Sequence, residues 1–422
     1  MTNHYSSEML GKYVSVQGGF AFKSSDFRDS GIPVLKIKNV RLRDVDISEV
    51  SYVNAEVAKV ASNYFCKTGD LLISMTGSGL QAPNSVVGRI ARFTGSSDEF
   101  LINQRVGRFV VKEPTKVDSR YLFFVLTQRE YQWNLVSIAT GSANQVNISI
   151  RQIEGLEVPL PPLDEQKAIA HILGTLDDKI ELNQQLNHTL ESVARALFKS
   201  WFIDFDPVRA KMDGRQPAGM DAETAALFPA EFEDSALGKI PKGWRVGKLE
   251  DLIVLQRGFD LPKTDRTPGK YPVLAASGAS GTHSEYKVKG PGVTTGRSGV
   301  LGRVFFVHED FWPLNTSLWI KEFRSSRPIH AYHLLQDLNF EVFNAGSAVP
   351  TLNRNHVHGL PVIDAPLAVV EKFEEIAPIF RQSKANEEQS NSITSIRDVL
   401  LPKLLSGEIR VQDAEKIVEA VV

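Results

Sequence analysis

The sequence has almost no cysteine and no long apolar run, and each shortage excludes a class of protein. Cys66 is the only cysteine in 422 residues, which excludes an intrachain disulfide and any zinc site built from several cysteines. Apolar runs such as LFFVL and VFFV fall far below the roughly 18 residues that cross a bilayer. The start MTNHYSSEML has no basic stretch followed by an apolar one, so no export signal is expected. We therefore expect a cytoplasmic protein without membrane attachment.

Neither sign of charge is in excess. Lysine and arginine number 48 against 50 aspartate and glutamate, a net charge of −2, which argues against a histone-like or polybasic protein. The sum does not exclude a nucleic-acid partner, because opposite charges in different segments cancel. With 42% hydrophobic and 23% charged residues the composition is globular, and the length indicates two or three domains.

The motifs of nucleotide and cofactor chemistry are also missing. Gly-Lys pairs begin at Gly11, Gly238, Gly247 and Gly269, and none is followed by the Ser or Thr of a phosphate-binding loop. The Asn-Pro-Pro-Tyr type of motif found in adenine methylases is absent. The segment LLISMTGSGL (71–80) contains a lone Gly-x-Gly, for which a hairpin or a strand-to-loop turn is the favoured interpretation. The pairs His330/His333 and His356/His358 lack further convergent ligands, so we expect surface or hydrogen-bonded core positions. No catalytic, cofactor-binding or metal-binding residue is predicted in this chain.

What the sequence does contain is an internal repeat. LGKYVSVQGGFAFKSSDF and IPVLKIKNV in the first half match LEDLIVLQRGFDLPKTDR and YPVLAASG in the second, at an offset of 239. Gly88-Arg89-Ile90 matches Gly302-Arg303-Val304. GSANQVNISIRQIEGLEVPLPP (141–162) matches GSAVPTLNRNHVHGLPVIDAP (346–366), mostly at an offset of 204. Four matches in the same order indicate a duplicated unit.

Each copy ends in a long segment with helical periodicity. Apolar residues from Ile169 to Leu197 recur at steps of three or four, with Asn183 in one position, as in a heptad seam. This predicts a helix from Asp164, a candidate N-cap after Pro161-Pro162, to Phe202. The second copy runs from Val369 to Gly407, and Pro378 should kink or break its first turns. Two such helices at equivalent places favour an antiparallel pair.

The segments divide the charge unequally. Residues 1–160 carry 18 basic and 15 acidic groups and residues 246–363 carry 13 and 10, whereas 161–206 carry 4 and 8 and 364–422 carry 7 and 11. Residues 207–245 are balanced, rich in Pro, Gly, Ala and Asp, and indicate a connector outside the cores, with one short helix at Ala222 to Leu227. Two mildly basic globular units and two acidic helices result.

Some basic and amide residues cluster in ways that suit DNA. In VLKIKNVRLR a strand would present Lys36 and Lys38 on one face, with Arg41 and Arg43 following. The glycine-rich GPGVTTGRSGVLGRV (290–304) is either a tight irregular loop or a loop that brings Arg297 or Arg303 to DNA. Asn103-Gln104-Arg105 and Asn315-Thr316-Ser317 follow the Gly-Arg strands at corresponding places, which pairs Asn103 with Asn315, and they either cap turns or read bases. The candidates for DNA contact are Lys36, Lys38, Arg41, Arg43, Arg89, Gln104, Arg105, Arg297, Arg303 and Asn315.

Three segments of the sequence resemble a known protein family. The run PLPPLDEQKAIAHILGTLDDKIELNQQLNHTLESVARALFKSWFIDFDPV is similar to the central conserved region of the DNA specificity (S) subunits of type I restriction-modification enzymes. SALGKIPKGWRVGKLEDL and SITSIRDVLLPKLLSGEIRV resemble the entry to such a subunit's second half and its distal conserved region. The first unit departs from the pattern, because it opens with SEMLGKYVSV and lacks the Pro-Lys-Gly-Trp entry.

The resemblance implies a non-catalytic subunit that reads a bipartite target in double-stranded DNA, one half-site per recognition domain. It implies two methylation subunits and restriction subunits as partners, with S-adenosylmethionine, ATP and Mg bound by those partners rather than by this chain. The helical seam supplies candidate subunit-interface residues: Ile172, Leu176, Ile180, Leu186, Leu190, Leu197, Ile376, Phe380, Ile393, Leu400 and Leu404.

We therefore expect an α+β chain with two β-rich target recognition domains, each followed by a long helix, the helices forming an antiparallel, coiled-coil-like pair. The expected segments are a first recognition domain (1–160), a central helix (161–206), a connector (207–245), a second recognition domain (246–363), a distal helix (364–410) and a tail (411–422). Two alternatives remain open: a stand-alone DNA methyltransferase or nuclease, against which the missing motifs count, and a coiled-coil scaffold that binds only protein.

Overall fold

A computed structural model describes residues 5–79, 87–142, 145–338, 340 and 351–421 of the chain. The chain forms two compact units, each a mixture of sheets and helices. Unit 1 comprises residues 1–182 and 389–422, and unit 2 comprises residues 183–388. Both long helices therefore contribute one part to each unit, and the α+β fold predicted from the sequence is confirmed.

The first part of unit 1 is rich in short strands. The strands are β1 (Ser7–Met9), β2 (Val14–Gly18), β3 (Phe27–Arg28), β4 (Ile32–Leu35), β5 (Arg43–Asp44), β6 (Ser51–Val53), β7 (Leu71–Ser74), β8 (Thr76–Gly77), β9 (Ile90–Arg92), β10 (Leu101–Ile102), β11 (Val106–Val111), β12 (Thr140–Ser142), β13 (Gln145–Asn147) and β14 (Glu157–Pro159). The helices are α1 (Ala55–Val60), α2 (Ser119–Leu126), α3 (Arg129–Ile138), α4 (Ile150–Glu154) and α5 (Leu163–Phe202). The side chains of Asn54, Asp118 and Ser149 cap α1, α2 and α4 by accepting backbone N–H groups.

Unit 2 also consists of short strands and helices. Its further helices are α6 (Asp206–Met212), α7 (Ala222–Ala226), α8 (Leu249–Leu252), α9 (Pro328–Asp337), α10 (Arg354–His358), α11 (Leu367–Phe373) and α12 (Ala377–Ser406), and α13 (Val411–Glu419) returns to unit 1. Its strands are β15 (Phe232–Ser235), β16 (Gly238–Pro241), β17 (Arg245–Lys248), β18 (Ile253–Arg257), β19 (Tyr271–Ala275), β20 (Gly278–His283), β21 (Gly292–Gly296), β22 (Val304–Val307), β23 (Trp312–Pro313), β24 (Ser317–Phe323) and β25 (Pro361–Asp364).

The main sheets of the two units share an arrangement of four antiparallel strands. Unit 1 contains a sheet of order β2-β11-β7-β9-β5, and unit 2 a sheet of order β18-β24-β21-β22. The neighbouring pairs of β2-β11-β7-β9 and of β18-β24-β21-β22 are antiparallel. A second sheet in each unit contains a parallel pair, β10 with β4 in unit 1 and β23 with β19 in unit 2. Alternate residues of β2 and β18, such as Val14 and Val16, are buried, as a strand with one covered face requires.

The repeat extends to individual hydrogen bonds. Leu10 N donates to Leu156 O at 2.8 Å in unit 1, and Leu249 N donates to Leu360 O at 2.8 Å in unit 2. The first residues of these bonds lie 239 apart in the sequence, and their partners lie 204 apart, the two offsets read from the sequence. The duplication is therefore confirmed within the described residues, although 143–144 and 346–350 of the matched segments lie outside them.

Three more backbone bonds recur at equivalent places in the two units. Asn103 N donates to Leu35 O at 2.9 Å, as Leu314 N does to Leu274 O at 2.8 Å. Phe20 N donates to Ile102 O, as Phe259 N does to Pro313 O. Ile148 N donates to Met75 O, as Leu352 N does to Arg297 O. One backbone framework is thus built twice, with different sequences.

The predicted long helices are present, with two differences in detail. Helix α5 begins at Leu163, so Asp164 lies in its first turn and is not the N-cap. The second helical segment is divided into α11, a 3-10 turn (Glu374–Ile376) and α12, in which Pro378 is the second residue. The predicted break at Pro378 is confirmed, because proline suits the first turn of a helix and not its interior.

The helices pair in antiparallel fashion. In unit 2, Asn187 Nδ2 donates to Ser383 O at 3.0 Å and Asn183 Nδ2 donates to Asn386 O at 3.4 Å, so one chain direction opposes the other. In unit 1, the buried Leu176 of α5 belongs to the same apolar core as Ile393 of α12. No helix within the described ranges is long and apolar enough to cross a membrane.

The segment 207–245 is more than the connector expected. The predicted short helix is present as α7, but β15, β16 and the beginning of β17 also lie here. Val208, Phe228 and Trp244 are buried in one core cluster with Phe202 of α5 and Phe373 of α11. The expectation that this segment lies outside the cores is wrong, because its widely spaced aromatic residues pack together without any periodicity that the sequence could reveal.

Candidate nucleic-acid interface

Each unit carries an equivalent tight turn that leads into an interior strand of its main sheet, next to the edge strand. In unit 1 the turn is residues 103–106, closed by Val106 N donating to Asn103 O at 2.8 Å, and β11 follows. In unit 2 it is residues 314–317, closed by Ser317 N donating to Leu314 O at 2.8 Å, and β24 follows. A close approach of another backbone segment supports each turn.

Gly19 and Gly258 make this approach possible. A Cβ atom on Gly19 would lie 2.3 Å from the carbonyl oxygen of Asn103, and one on Gly258 would lie 2.3 Å from that of Leu314. Only glycine leaves room for backbone this close. The repeated Gly-Phe pair read from the sequence thus has a structural function: it seats the turn.

The hydrogen bonds correct one sequence correspondence. Asn103 is equivalent to Leu314, so Gln104 is equivalent to Asn315, whereas the sequence had paired Asn103 with Asn315. Gln104 and Arg105 are exposed, while Asn315 is half-buried and its amide donates to Asp260. The apex of each turn therefore carries an amide side chain, the type that pairs with adenine in the major groove.

Beside the turns lie the two Gly-Arg pairs that the sequence matched. Gly88 and Gly302 have φ of 73° and 77°, left-handed values that favour glycine. Arg303 is exposed, and Arg89 is half-buried. Burial first, and then the nearby charge of Arg41, lower the pKa of Arg89. Two of the predicted DNA-contact residues of unit 1, Arg41 and Arg89, are thus close enough to repel each other.

The segment of Lys36 and Lys38 is not the strand that was predicted. Strand β4 ends at Leu35, and residues Ile37–Asn39 form a 3-10 turn. The buried Asn39 causes this, because its side chain accepts from Lys36 N at 2.9 Å and donates to two backbone carbonyls. The Lys36 ammonium lies 3.7 Å from the centre of the Phe27 ring, and Lys38 pairs with Glu49 at 3.3 Å.

Arg41 and Arg43 differ in exposure and in partners. Arg41 is exposed and pairs with Asp46 at 3.2 Å. Arg43, with φ of 74°, turns inward and donates to Thr127 at 3.1 Å and to Asp177 at 2.6 Å. Its contacts are with the protein interior, and its assignment to DNA stays a prediction that these contacts do not favour.

The glycine-rich segment 290–304 is also more regular than expected. Residues Gly292–Gly296 form β21, a fully buried strand between β22 and β24. The irregular parts are Gly290-Pro291 before this strand and the connection from Arg297 to Arg303 after it. In unit 1, Gly77-Ser78-Gly79 follows a strand in the equivalent place, and β8 pairs there with β13, while residue 80 lies outside the described range.

Sequence reasoning missed two arginines that lie near Arg297. Arg257 ends β18 and Arg354 begins α10, and both line one concave surface together with Arg297. The signal for Arg257 was present in the repeat, where QRGF replaces the QGGF of the first unit. No sequence pattern pointed to Arg354.

Of the paired histidines, His330 and His333 lie in the core, His358 is half-buried and hydrogen-bonded, and His356 is exposed. His330 and His333 are each 2% exposed, and burial lowers their pKa to about 3 and about 4. His330 Nδ1 lies 2.8 Å from Ser326 Oγ, and His358 Nε2 accepts from Leu255 N at 2.9 Å. Within the described residues, no group of three or more His, Cys, Asp or Glu side chains is placed to hold a metal ion.

The candidate subunit-interface residues divide by burial. The buried ones pack inside unit 1 and leave no accessible surface for another subunit: Ile172, Leu176, Ile393, Leu400 and Leu404. The half-buried ones are Ile180, Leu190, Leu197, Ile376 and Phe380. Leu186 is 41% exposed, and Leu182 and Val193 on the same helix are exposed as well. Only the last group presents substantial apolar surface on α5.

Comparisons with known proteins agree over most of the chain. The family described as "Type I restriction modification DNA specificity domain" matches residues 10–192 and 241–369. The HindI specificity subunit of Haemophilus influenzae is 26% identical over 447 aligned positions, which cover 88% of this chain and 92% of that protein. The EcoBI specificity subunit of Escherichia coli is 29% identical, covering 94% and 85%. The crystal structure of an S subunit from M. genitalium has the same fold, with a TM-score of 0.62, 15% identity and 96% of each chain covered.

Proposed function

Since the chain belongs to the family of type I restriction-modification DNA specificity subunits, we propose that each of its units reads one half of an interrupted target in double-stranded DNA. The proposed reading domains are residues 1–160 and 246–363. The exposed or half-buried residues at the turns, Gln104, Arg105 and Asn315, and the Gly-Arg pairs beside them, are the proposed DNA contacts.

One observation carries this proposal: the two units share a backbone framework but differ at equivalent positions around the turns. Gln104 and Arg105 of unit 1 correspond to Asn315 and Thr316 of unit 2, and Met75 corresponds to Arg297. A common framework suits a common partner, the duplex, and different side chains suit different base sequences.

The chain supplies recognition and no chemistry of its own in this proposal. Two methylation subunits bind the long helices and transfer the methyl group from S-adenosylmethionine, and restriction subunits use ATP and Mg for translocation and cleavage. The exposed apolar residues of α5 (Leu182, Leu186 and Val193) are available for contact with a methylation subunit. The complex acts in the cytoplasm, where it meets the chromosome.

The test is to co-express the chain with the methylation subunits of its own system and to map the methylated adenines. We expect one interrupted motif. Replacement of residues 1–160 by the corresponding domain of a related subunit should change one half of the motif, and replacement of residues 246–363 should change the other.

Three outcomes would contradict the proposal. Methylation by the purified chain alone would favour a stand-alone methyltransferase. A chain that assembles with partners but binds no duplex would favour a protein scaffold. A motif that changes in both halves after either replacement would contradict the division of reading between the units.

A further inference from the structure

Unit 2 contains a concave surface lined by three arginines from three separate elements. Arg257 is the last residue of β18, Arg297 directly follows β21, and Arg354 is the first residue of α10. The remaining lining residues are Leu318, Thr351, Leu352 and Asn353. We call this surface the arginine concavity; none of the described residues that line it is acidic.

Most of its positive charge is not neutralised by other described residues. Arg257 lies 3.9 Å from Asp260, at the outer limit of an ion pair, and both side chains are more than half exposed (52% and 74%). Arg297 donates from Nη1 to the backbone carbonyl of Asn315 at 3.4 Å, a neutral acceptor. In the described part of unit 2, no ion pair involves Arg354. Asp260 is therefore the one carboxylate, among described residues, that the three cations meet.

Unit 1 shows that the fold does not need these charges. The framework bonds place Gly18 at the position of Arg257, Met75 at that of Arg297 and Ile150 at that of Arg354. Ile148 N donates to Met75 O at 2.9 Å just as Leu352 N donates to Arg297 O at 2.8 Å. The same backbone forms with no cation at any of the three positions, so packing does not explain the arginines.

The arginine concavity is continuous with the turn of unit 2. Arg297 N donates to Thr316 O at 2.8 Å, and Thr316 is the residue after Asn315 at the apex. A ligand in the concavity would therefore lie beside the residue we propose to read bases. Guanidinium groups form paired, charge-assisted hydrogen bonds with phosphate oxygens.

We propose that the arginine concavity binds one phosphodiester group of the DNA backbone at the half-site that unit 2 reads. The inference rests on the proposed function, since the duplex is the source of the phosphate. It adds an asymmetry to that function: unit 2 has a backbone clamp that unit 1 lacks, so the two halves of the target contribute unequally to the salt dependence of binding.

The experiment uses the full chain in complex with its methylation subunits and a duplex that carries the mapped motif. Affinity is measured by fluorescence anisotropy between 50 and 300 mM KCl for the wild type and for the triple variant Arg257→Gln, Arg297→Gln, Arg354→Gln. Loss of one phosphate contact should lower the slope of log K against log salt by about 0.9 and weaken binding by about tenfold at 0.1 M salt. The methylated motif should remain the same.

Two control variants separate charge from structure. Lys321→Gln removes an exposed charge from β24 outside the concavity and should leave the slope at the wild-type value. The triple Arg→Lys variant keeps the charge and should retain most of the slope, which shows that a loss in the glutamine variant is not a folding defect.

The outcomes distinguish the two proposals. If the triple glutamine variant keeps the wild-type slope and affinity, the phosphate site is disproved while the DNA-reading function stands. If the slope is unchanged but one base of the unit 2 half-site is no longer required, the arginines read guanine and the phosphate assignment is wrong. If the wild-type complex binds no duplex, both the function and the site are disproved.

Discussion

The guanidinium group of Arg43 donates to Oδ2 of Asp177 at 2.6 Å and so ties the recognition part of unit 1 to helix α5. Oδ1 of the same carboxylate accepts from Arg397 of α12 at 2.8 Å. Arg43 also lies over the Phe123 ring, 4.9 Å from its centre. Burial lowers the pKa of Arg43, and the charge of Asp177 opposes this effect. One carboxylate thus holds two arginines that are 13% to 20% exposed.

Replacement of Asp177 by Asn should destabilise unit 1 by about 2–3 kcal/mol, because it leaves the mostly buried Arg43 without its ion-pair partner and Arg397 with only the more exposed Asp398. Denaturant unfolding measures the effect. Asp178→Asn is the matched control: its pair with Arg120 is 60% exposed on the aspartate side, so the loss should be about 0.5 kcal/mol. Equal losses in both variants would show that Asp177 has no special role.

Replacement of Gly19 by Ala should destabilise unit 1 by about 2–3 kcal/mol and weaken DNA binding by the complex, because the new Cβ meets the backbone of the turn. Gly18→Ala is the neighbouring control, since its nearest non-local atom lies 3.7 Å away. Thermal unfolding and binding to the mapped motif are the two readouts. If Gly19→Ala behaves like Gly18→Ala, the close contact of Gly19 with the backbone of the turn does not contribute to stability or binding.

Acidification should destabilise unit 2 through His330 and His333. Their folded pKa values, about 3 and about 4, lie below the ordinary 6.5, so the unfolded chain takes up protons first as the pH falls. Stability is unaffected by these groups above about pH 6.5 and falls as the pH drops from there toward 4, by about 1.4 kcal/mol per pH unit for each proton.

Urea unfolding at pH 7.5, 6.0 and 5.0 measures this dependence. His330→Gln should reduce the slope by one proton, while His171→Gln, at an exposed position of α5, should not change it. A slope in the His330→Gln variant equal to that of the wild type would mean that the pKa of His330 is not lowered by folding.

Replacement of Gln104 by Ala should relax the base requirement at one position in one half of the methylated motif, by about 1–3 kcal/mol of discrimination. Asn315→Ala should act on the other half. Val110→Ala, on an exposed position farther along β11, should leave the motif intact. Motif mapping after co-expression measures all three. A motif that is unchanged in both turn variants would contradict the proposed reading position.

The helices and the repeat could be predicted because their signals are periodic or duplicated. The steps of three and four residues in α5 and the matched Gly19-Phe20 and Gly258-Phe259 pairs are visible in the letters alone. The contacts that these residues make in the fold are not visible in the sequence. Gly19, for example, approaches the backbone of Asn103, which lies 84 positions away along the chain.

The errors have local physical causes. Lys36 and Lys38 alternate with apolar residues as a strand requires, but the buried Asn39 side chain bonds three backbone groups and enforces a 3-10 turn. Arg43 belongs to a basic run, and only the fold reveals its counter-charge on α5. The pairing of Asn103 with Asn315 was wrong by one residue. The two positions carry the same residue type, but the hydrogen bonds make Asn103 equivalent to Leu314.

The spacing between equivalent framework residues decreases along the chain. It is 239 at Leu35 and Leu274, 222 at Met75 and Arg297, 211 at Asn103 and Leu314, and 204 at Ile148 and Leu352. The length differences that separate the two copies therefore fall between the equivalent hydrogen bonds, and they include whole elements such as β6 and α1 of unit 1. Evolution can thus shorten, lengthen or replace one segment between these bonds without changing the others. A new target preference does not require a new scaffold.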